Sequence, residues 1–263
     1  MTTKSPRSVQ SFIGRCTADG IYTITFNRSE KKNAFTFAMY QDVADALHEA
    51  RGAKAVRAIV IQGSSGVFSA GNDLNDFLEN PPKSADSPVF GMLLALANCE
   101  KPVIAAVQGP AIGIGTTMLL HCDFVFAAEG CRFQLPFVNL GLTPEGASTF
   151  LLPRLAGDRL ARELLMLGEP FSAEKALRAG IVSEVMNADD VIEHAQRVAR
   201  TLAHKPENCL AKTKLLLREA TARRVEEALQ REGEVFMECL RSAEAQEAFS
   251  AFLEKRLPDF SKA

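Results

Sequence analysis

The sequence has no charge imbalance, no membrane-length apolar run and no paired cysteines, and each absence removes a class of function. With 30 Lys and Arg against 32 Asp and Glu, the formal net charge is −2 over 263 residues. Such a chain has no electrostatic reason to bind DNA, RNA or an anionic membrane, so local positive groups must meet any anionic ligand. No stretch approaches the roughly 18 apolar residues of a membrane span, and Met1 to Gln10 is polar without an apolar signal region. A cytoplasmic protein is expected. Ser261, Lys262 and Ala263 loosely resemble a peroxisomal tail, which leaves that address open. The six cysteines (Cys16, Cys99, Cys122, Cys131, Cys209, Cys239) are scattered, and read as buried thiols without a disulfide or zinc framework. His121, Cys122 and Asp123 adjoin one another, but neighbouring residues cannot all face one ion, so no metal is expected.

What is present is core-forming material. Apolar residues make up 47% of the chain and charged residues 24%, enough for one large domain or a domain with an appendage. Ile21 to Phe26 alternates β-formers, Asn27 to Asn33 is a polar turn, and a helical pattern runs from about Thr36 to Ala50. Arg57 to Gln62 and Val103 to Gln108 are short β-branched runs of the kind found in buried parallel strands. Phe124 to Ala128 and Arg132 to Leu135 predict further strands, and their alternation with helices gives an α/β fold. Leu78 to Pro88 carries three prolines and reads as a loop. From about Ala188 the composition is helical, with Val225, Leu229, Phe236 and Leu240 at helical spacing, on a face that suits either its own core or an oligomer interface.

A glycine-bearing loop follows each β-branched run: GSSGVFSAGNDL over Gly63 to Leu74, and GPAIGIGTTML over Gly109 to Leu119. In a dinucleotide fingerprint the third glycine of the second loop would fall at Met118, which makes that reading weak. A P-loop fails for want of a following Gly-Lys-Ser or Gly-Lys-Thr, and there is no serine-hydrolase elbow. Glycines among small residues do let main-chain N–H groups turn outward, and two such loops side by side could aim two donors at one oxygen.

NRSEKKNAFT, VFSAGNDL, KPVIAAVQGPAIGIG and FQLPFVNLGLTPEGA, in this order and spacing, resemble the crotonase superfamily of acyl-CoA enzymes over the whole chain. The resemblance implies a spiral of strand-strand-helix repeats over residues 1–200, with a helical C-terminal trimerisation region over residues 201–263. It also implies a homotrimer or dimer of trimers, an acyl-CoA substrate with no separate cofactor, and a thioester enolate held by the N–H groups matching Ala70 and Ile114. Taken alone, those two are turn and core residues. By the same resemblance CoA lies along Ser69, Ala70, Gly71, Asn72, Asp73 and Leu74, with Arg28, Lys32 and Ala34 in reach. Phe252 and Lys255 would meet CoA on a neighbouring subunit. Arg28 and Lys32 otherwise read as a solvated turn, and Phe77, Phe90, Met92 and Leu93 suit an acyl tunnel or plain core.

The choice of reaction turns on carboxylates. Family hydratases carry two glutamates where this chain has Thr117 and Phe137, neither of which is a base near pH 7, so hydration is disfavoured. Glu145, in LGLTPEGAS, resembles the arrangement in peroxisomal-type 3-enoyl to 2-enoyl isomerases, where one carboxylate reaching both carbons suffices. Phe137 would then line the substrate. Local sequence also allows Thr143 to cap a helix that starts at Pro144, with Glu145 complementing its dipole and its pKa lowered unless Phe137 and Leu142 desolvate it. Another crotonase-type reaction using Asp73 or Asp76, or a non-catalytic acyl-CoA-binding subunit, stays open.

Overall fold

The computed structural model describes residues 12–82, 84 and 87–262. Residues 1–11, which include the polar opening segment, the last residue of the tail and three positions in the proline-bearing loop lie outside the described residues. Nine strands are present among them: β1 (Ile13–Ala18), β2 (Ile21–Phe26), β3 (Ala58–Gln62), β4 (Val103–Val107), β5 (Pro110–Ile112), β6 (Phe124–Ala128), β7 (Arg132–Gln134), β8 (Phe171–Ser172) and β9 (Glu184–Met186). The α-helices are α1 (Phe37–Gly52), α2 (Leu74–Glu79), α3 (Pro88–Ala97), α4 (Ile114–Thr117), α5 (Ser148–Ala156), α6 (Asp158–Arg162), α7 (Ala173–Arg178), α8 (Val191–Ala203), α9 (Glu207–Cys239) and α10 (Ala243–Glu254).

The main sheet has the order β1-β2-β3-β4-β6-β9, antiparallel only between β1 and β2. Its central strands β3 and β4 are buried along almost their whole length, as a parallel sheet covered on both faces requires. Helix α8 lies across β2, β3, β4 and β6, while α1 packs on β1, β2 and α3. Thr36 starts α1 by accepting a hydrogen bond from the Met39 amide. A smaller sheet, β5-β7-β8, stands beside the first. Its strand β5 is built from residues read in sequence as part of the second glycine loop.

No helix starts at Pro144. Gly146 and Ala147 both take positive φ, at 72° and 55°, which interrupts helical geometry and delays α5 until Ser148. The cysteine expectation also needs correction, because Cys16 and Cys209 are exposed and only Cys99 and Cys131 are fully buried. In the C-terminal region α9 packs on α3 and α5, and α10 packs on the turn at Val138–Leu140. None of the described helices is long and apolar enough to cross a membrane.

Candidate active site

The two glycine loops lie side by side. The Ser69 amide donates to the Pro110 carbonyl at 2.9 Å, and the Ile112 amide donates back to the Ser69 carbonyl at 3.0 Å. Gly71 permits this approach: a Cβ there would sit 2.9 Å from the Ile112 carbonyl oxygen, and φ is +88°. Beneath the first loop, Phe26 packs edge-on against Phe35 and Phe68 at 4.9 and 5.3 Å, which fixes the chain entering the loop.

Every buried amide needs an acceptor, so the amides of the first loop can be followed in turn. Ser69 is bonded to Pro110, and Ala70 donates to the Lys32 carbonyl at 3.0 Å. Gly71 donates to Ser69 Oγ at 3.1 Å, and Asp73 donates to the Phe35 carbonyl at 2.9 Å. Asn72 is the exception. Phe35 bonds the residues on either side of it, so its own N–H points away from that bridge, and no acceptor among the described residues takes it. The donor expected at Ala70 is therefore already committed, and between Ser69 and Asp73 the donor left without an acceptor among the described residues is Asn72, two residues on. In the second loop Gly113 donates to Gln134, and Thr116 and Thr117 both donate to Gly113, whereas Ile114 opens the first turn of α4 with no acceptor for its amide among the described residues. Asn72 and Ile114 thus supply two free N–H groups from adjoining loops.

Glu145 is 5% exposed. Thr117 donates its hydroxyl to one carboxylate oxygen, and the other oxygen is buried without a partner among the described residues. Burial pushes its pKa up to about 8, assisted by the charge of Glu232 and opposed by the Thr117 hydrogen bond. The helix begins at Ser148 instead of Pro144, so Glu145 lies before its first turn. Gly146 allows the close packing, since a Cβ there would lie 2.9 Å from Thr117 Cβ. His121 donates from Nε2 to the Gly146 carbonyl at 2.8 Å and, buried, has its pKa pushed down to about 4, so the strut stays neutral near pH 7.

This geometry sets the pH response first of activity and then of stability. Thr117→Val should raise the Glu145 pKa further and move the acid limb of a pH–rate profile upward by about one unit, since a hydrogen bond to a charged group is worth about 1.5 kcal/mol. Glu145 titrates near 4.5 when unfolded and near 8 when folded. Stability present below 4.5 is therefore lost as pH rises through about 8. Glu145→Gln abolishes that loss, so its melting temperature should match wild type near pH 5 and exceed it by roughly 5 °C at pH 8.5. A thermal-melt series in pH reads the divergence directly.

The residues expected to hold CoA divide into two sets. Ser69, Gly71, Asn72 and Leu74 line the loop and the start of α2. Ala34 is buried beside it, and Lys32 is exposed nearby. Arg28 is not a solvated turn residue: its guanidinium pairs with Asp73 at 2.8 Å and donates to the Ala34 carbonyl at 3.0 Å. Burial alone would raise the Asp73 carboxyl, but Arg28 and the amides of Asp76 and Asn75 hold it below the usual range. Asp73 also caps α2, so both charges are spent on fixing the loop. Phe137 is buried in the turn leading to Glu145, while Phe252 and Lys255 lie at the exposed end of α10. Phe77 meets Phe236 and Phe249 edge-on, which makes it core; Met92 and Leu93 are fully buried on α3.

His121, Cys122 and Asp123 diverge, as Asp123 pairs with Lys214 at 2.6 Å, and no three such groups converge among the described residues. Sequence reading missed Glu232, a buried carboxylate on α9. The signal was there: Leu229, Glu232, Gly233 and Phe236 fall at i, i+3, i+4 and i+7, which puts an acid on an apolar face.

Comparison with known proteins adds to this geometry. The sequence profile of the enoyl-CoA hydratase/isomerase family matches residues 17–263. The chain is 36% identical over 251 residues to a 1,2-epoxyphenylacetyl-CoA isomerase of Escherichia coli K12, covering 92% of this chain and 95% of that one. It is 38% identical over 173 residues to a peroxisomal enoyl-CoA delta isomerase 3 of Mus musculus, covering 64% and 54%. Hydratases occur among the relatives too. A crystal structure of an enoyl-CoA hydratase/isomerase from Pseudoalteromonas atlantica T6c superposes with a TM-score of 0.90 at 38% identity, covering 95% of this chain and all (100%) of that one.

Proposed function

The chain belongs to the enoyl-CoA hydratase/isomerase family, and is thus a crotonase-type acyl-CoA enzyme; from that premise we propose that it moves the double bond of a 3-enoyl-CoA to the 2-position. The observation that carries this reading is the single carboxylate. Glu145 is buried with one oxygen held by Thr117 and the other without a partner among the described residues, and by the resemblance Thr117 and Phe137 stand where a hydratase carries its two glutamates.

The steps balance without a co-reactant. Glu145 removes the proton on the α carbon, and that C–H electron pair enters the conjugated system to give a dienolate. Its negative charge gathers on the thioester oxygen, where the Asn72 and Ile114 amides donate. Glu145, now a carboxylic acid, returns the proton to the γ carbon as the double bond forms between the α and β carbons. A base with a pKa near 8 suits a carbon acid better than an ordinary carboxylate would. CoA would run along Ser69 to Leu74, with Lys32 meeting phosphate charge.

Assembly into a trimer or a dimer of trimers belongs to the same reading. It is supported by exposed apolar side chains on the C-terminal helices, among them Leu215, Leu216, Leu217 and Phe252. In such an assembly Phe252 and Lys255 would reach a neighbour's CoA. The test is product analysis with both substrates. A 3-enoyl-CoA should yield 2-enoyl-CoA, detected by the absorbance of the conjugated thioester, while 2-enoyl-CoA should stay unhydrated. Formation of 3-hydroxyacyl-CoA at a comparable rate would replace isomerisation with hydration.

A further inference from the structure

Helix α5 begins without a cap of its own. Its N-cap residue, Ala147, has no side-chain oxygen and sits at φ +55°, a conformation that disfavours L-residues and must be held by its surroundings. The missing acceptor comes from far along the chain. Glu232, 6% exposed on α9, accepts from the Thr149 amide at 2.8 Å and from Thr149 Oγ1 at 2.5 Å. The amides of Ala147 and Ser148 also act on this carboxylate. Gly233, next to it, leaves room for the Phe90 ring of α3, so α9 can lie close enough for a glutamate to reach.

We propose that Glu232 is a positioning residue: its carboxylate ties the start of α5 to α9, fixes the turn over residues 145–148 that aims Glu145, and so makes the C-terminal helical region part of the proton-transfer apparatus. This rests on the isomerase reading of Glu145. A neutral acceptor would serve as a cap, yet the protein buries a second carboxylate, and its charge acts on Glu145 to raise the pKa. Burial likewise pushes Glu232 itself up to about 7, opposed by its bonds to Thr149. Among the described residues, the titratable groups near the pair include Tyr40 of α1, whose phenol feels Glu145 and Asp76, and neutral His121 on the Gly146 carbonyl, which feels Arg218 of α9. On α9 itself Arg231 and Glu234 pair with each other on the exposed side.

Glu232→Gln keeps an acceptor oxygen for Thr149 and removes the charge, whereas Glu232→Ala removes both. With 3-enoyl-CoA as substrate, Glu232→Gln should keep kcat at its optimum within about threefold and move the acid limb down by about half a unit to one unit. Glu232→Ala should lower kcat about 10- to 100-fold with KM little changed, as expected when a base is misaimed without loss of binding. An acid limb unmoved in Glu232→Gln, or a folded Glu232→Ala with wild-type kcat, overturns the proposal. If Glu232→Ala does not fold, the Glu232→Gln profile decides alone.

Carbon-13 carboxyl NMR titration of Glu145, identified by its loss in Glu145→Gln, separates this idea from the function it builds on. Absence of wild-type turnover would remove the isomerase reading. A Glu145 midpoint unchanged by Glu232→Gln would remove the role of Glu232.

Discussion

Replacing Glu145 with Gln should lower kcat for conversion of 3-enoyl-CoA to 2-enoyl-CoA by about 10³- to 10⁴-fold, with KM within about threefold of wild type. The amide is nearly the same size and can still accept from Thr117, so the buried turn is preserved. What it loses is the ability to take a proton from carbon. None of three nearby candidates replaces it: Thr117 is a hydroxyl already donating to this carboxylate, Phe137 has no proton chemistry, and Glu232 is bonded to Thr149. Steady-state rates with a direct measurement of acyl-CoA affinity separate lost chemistry from lost binding. Wild-type kcat in the variant would remove Glu145 from the mechanism.

Ile114→Pro should lower kcat by about 10²- to 10³-fold, the usual effect of deleting one donor to a developing oxyanion. Because the donor is backbone, only proline deletes it. The position favours the experiment, for Ile114 is the first residue of α4, where proline costs least and the lost N–H breaks no internal bond. Gly113 before it adapts more readily than a residue with a Cβ. Ile114→Ala keeps the N–H, so it should retain activity within about tenfold and reports what the side chain alone contributes. A proline variant as active as the alanine variant would show that this amide holds no charge in the transition state.

How much of this was legible in the sequence depended on range. Ile21 to Phe26 alternates and is the strand β2 as read, whereas Ile13–Ala18 buries only Ile13, so β1 leaves almost no pattern to find. The glycine loops are legible as places of close backbone approach. Which amide in them points outward is not, because that depends on Phe35 bonding Gly71 and Asp73 on either side of Asn72. The pairing of Arg28 with Asp73 was not legible, because charge alone names no partner and the two are neighbours only after folding. Glu145 drew notice through its motif, but its raised pKa is a property of burial under elements distant in sequence. The false helix start at Thr143 and Pro144 is instructive: the capping residue types are correct, and two left-handed residues downstream override them.

The most direct test of a single buried carboxylate working both carbons is the fate of the proton it removes. With 3-enoyl-CoA deuterated at the α carbon and ordinary water as solvent, the mechanism predicts that deuterium appears at the γ carbon of the product, because Glu145 is shielded from exchange while it holds the label. Product carrying no deuterium at the γ carbon, with all of it released to water at every turnover, would contradict one sequestered base.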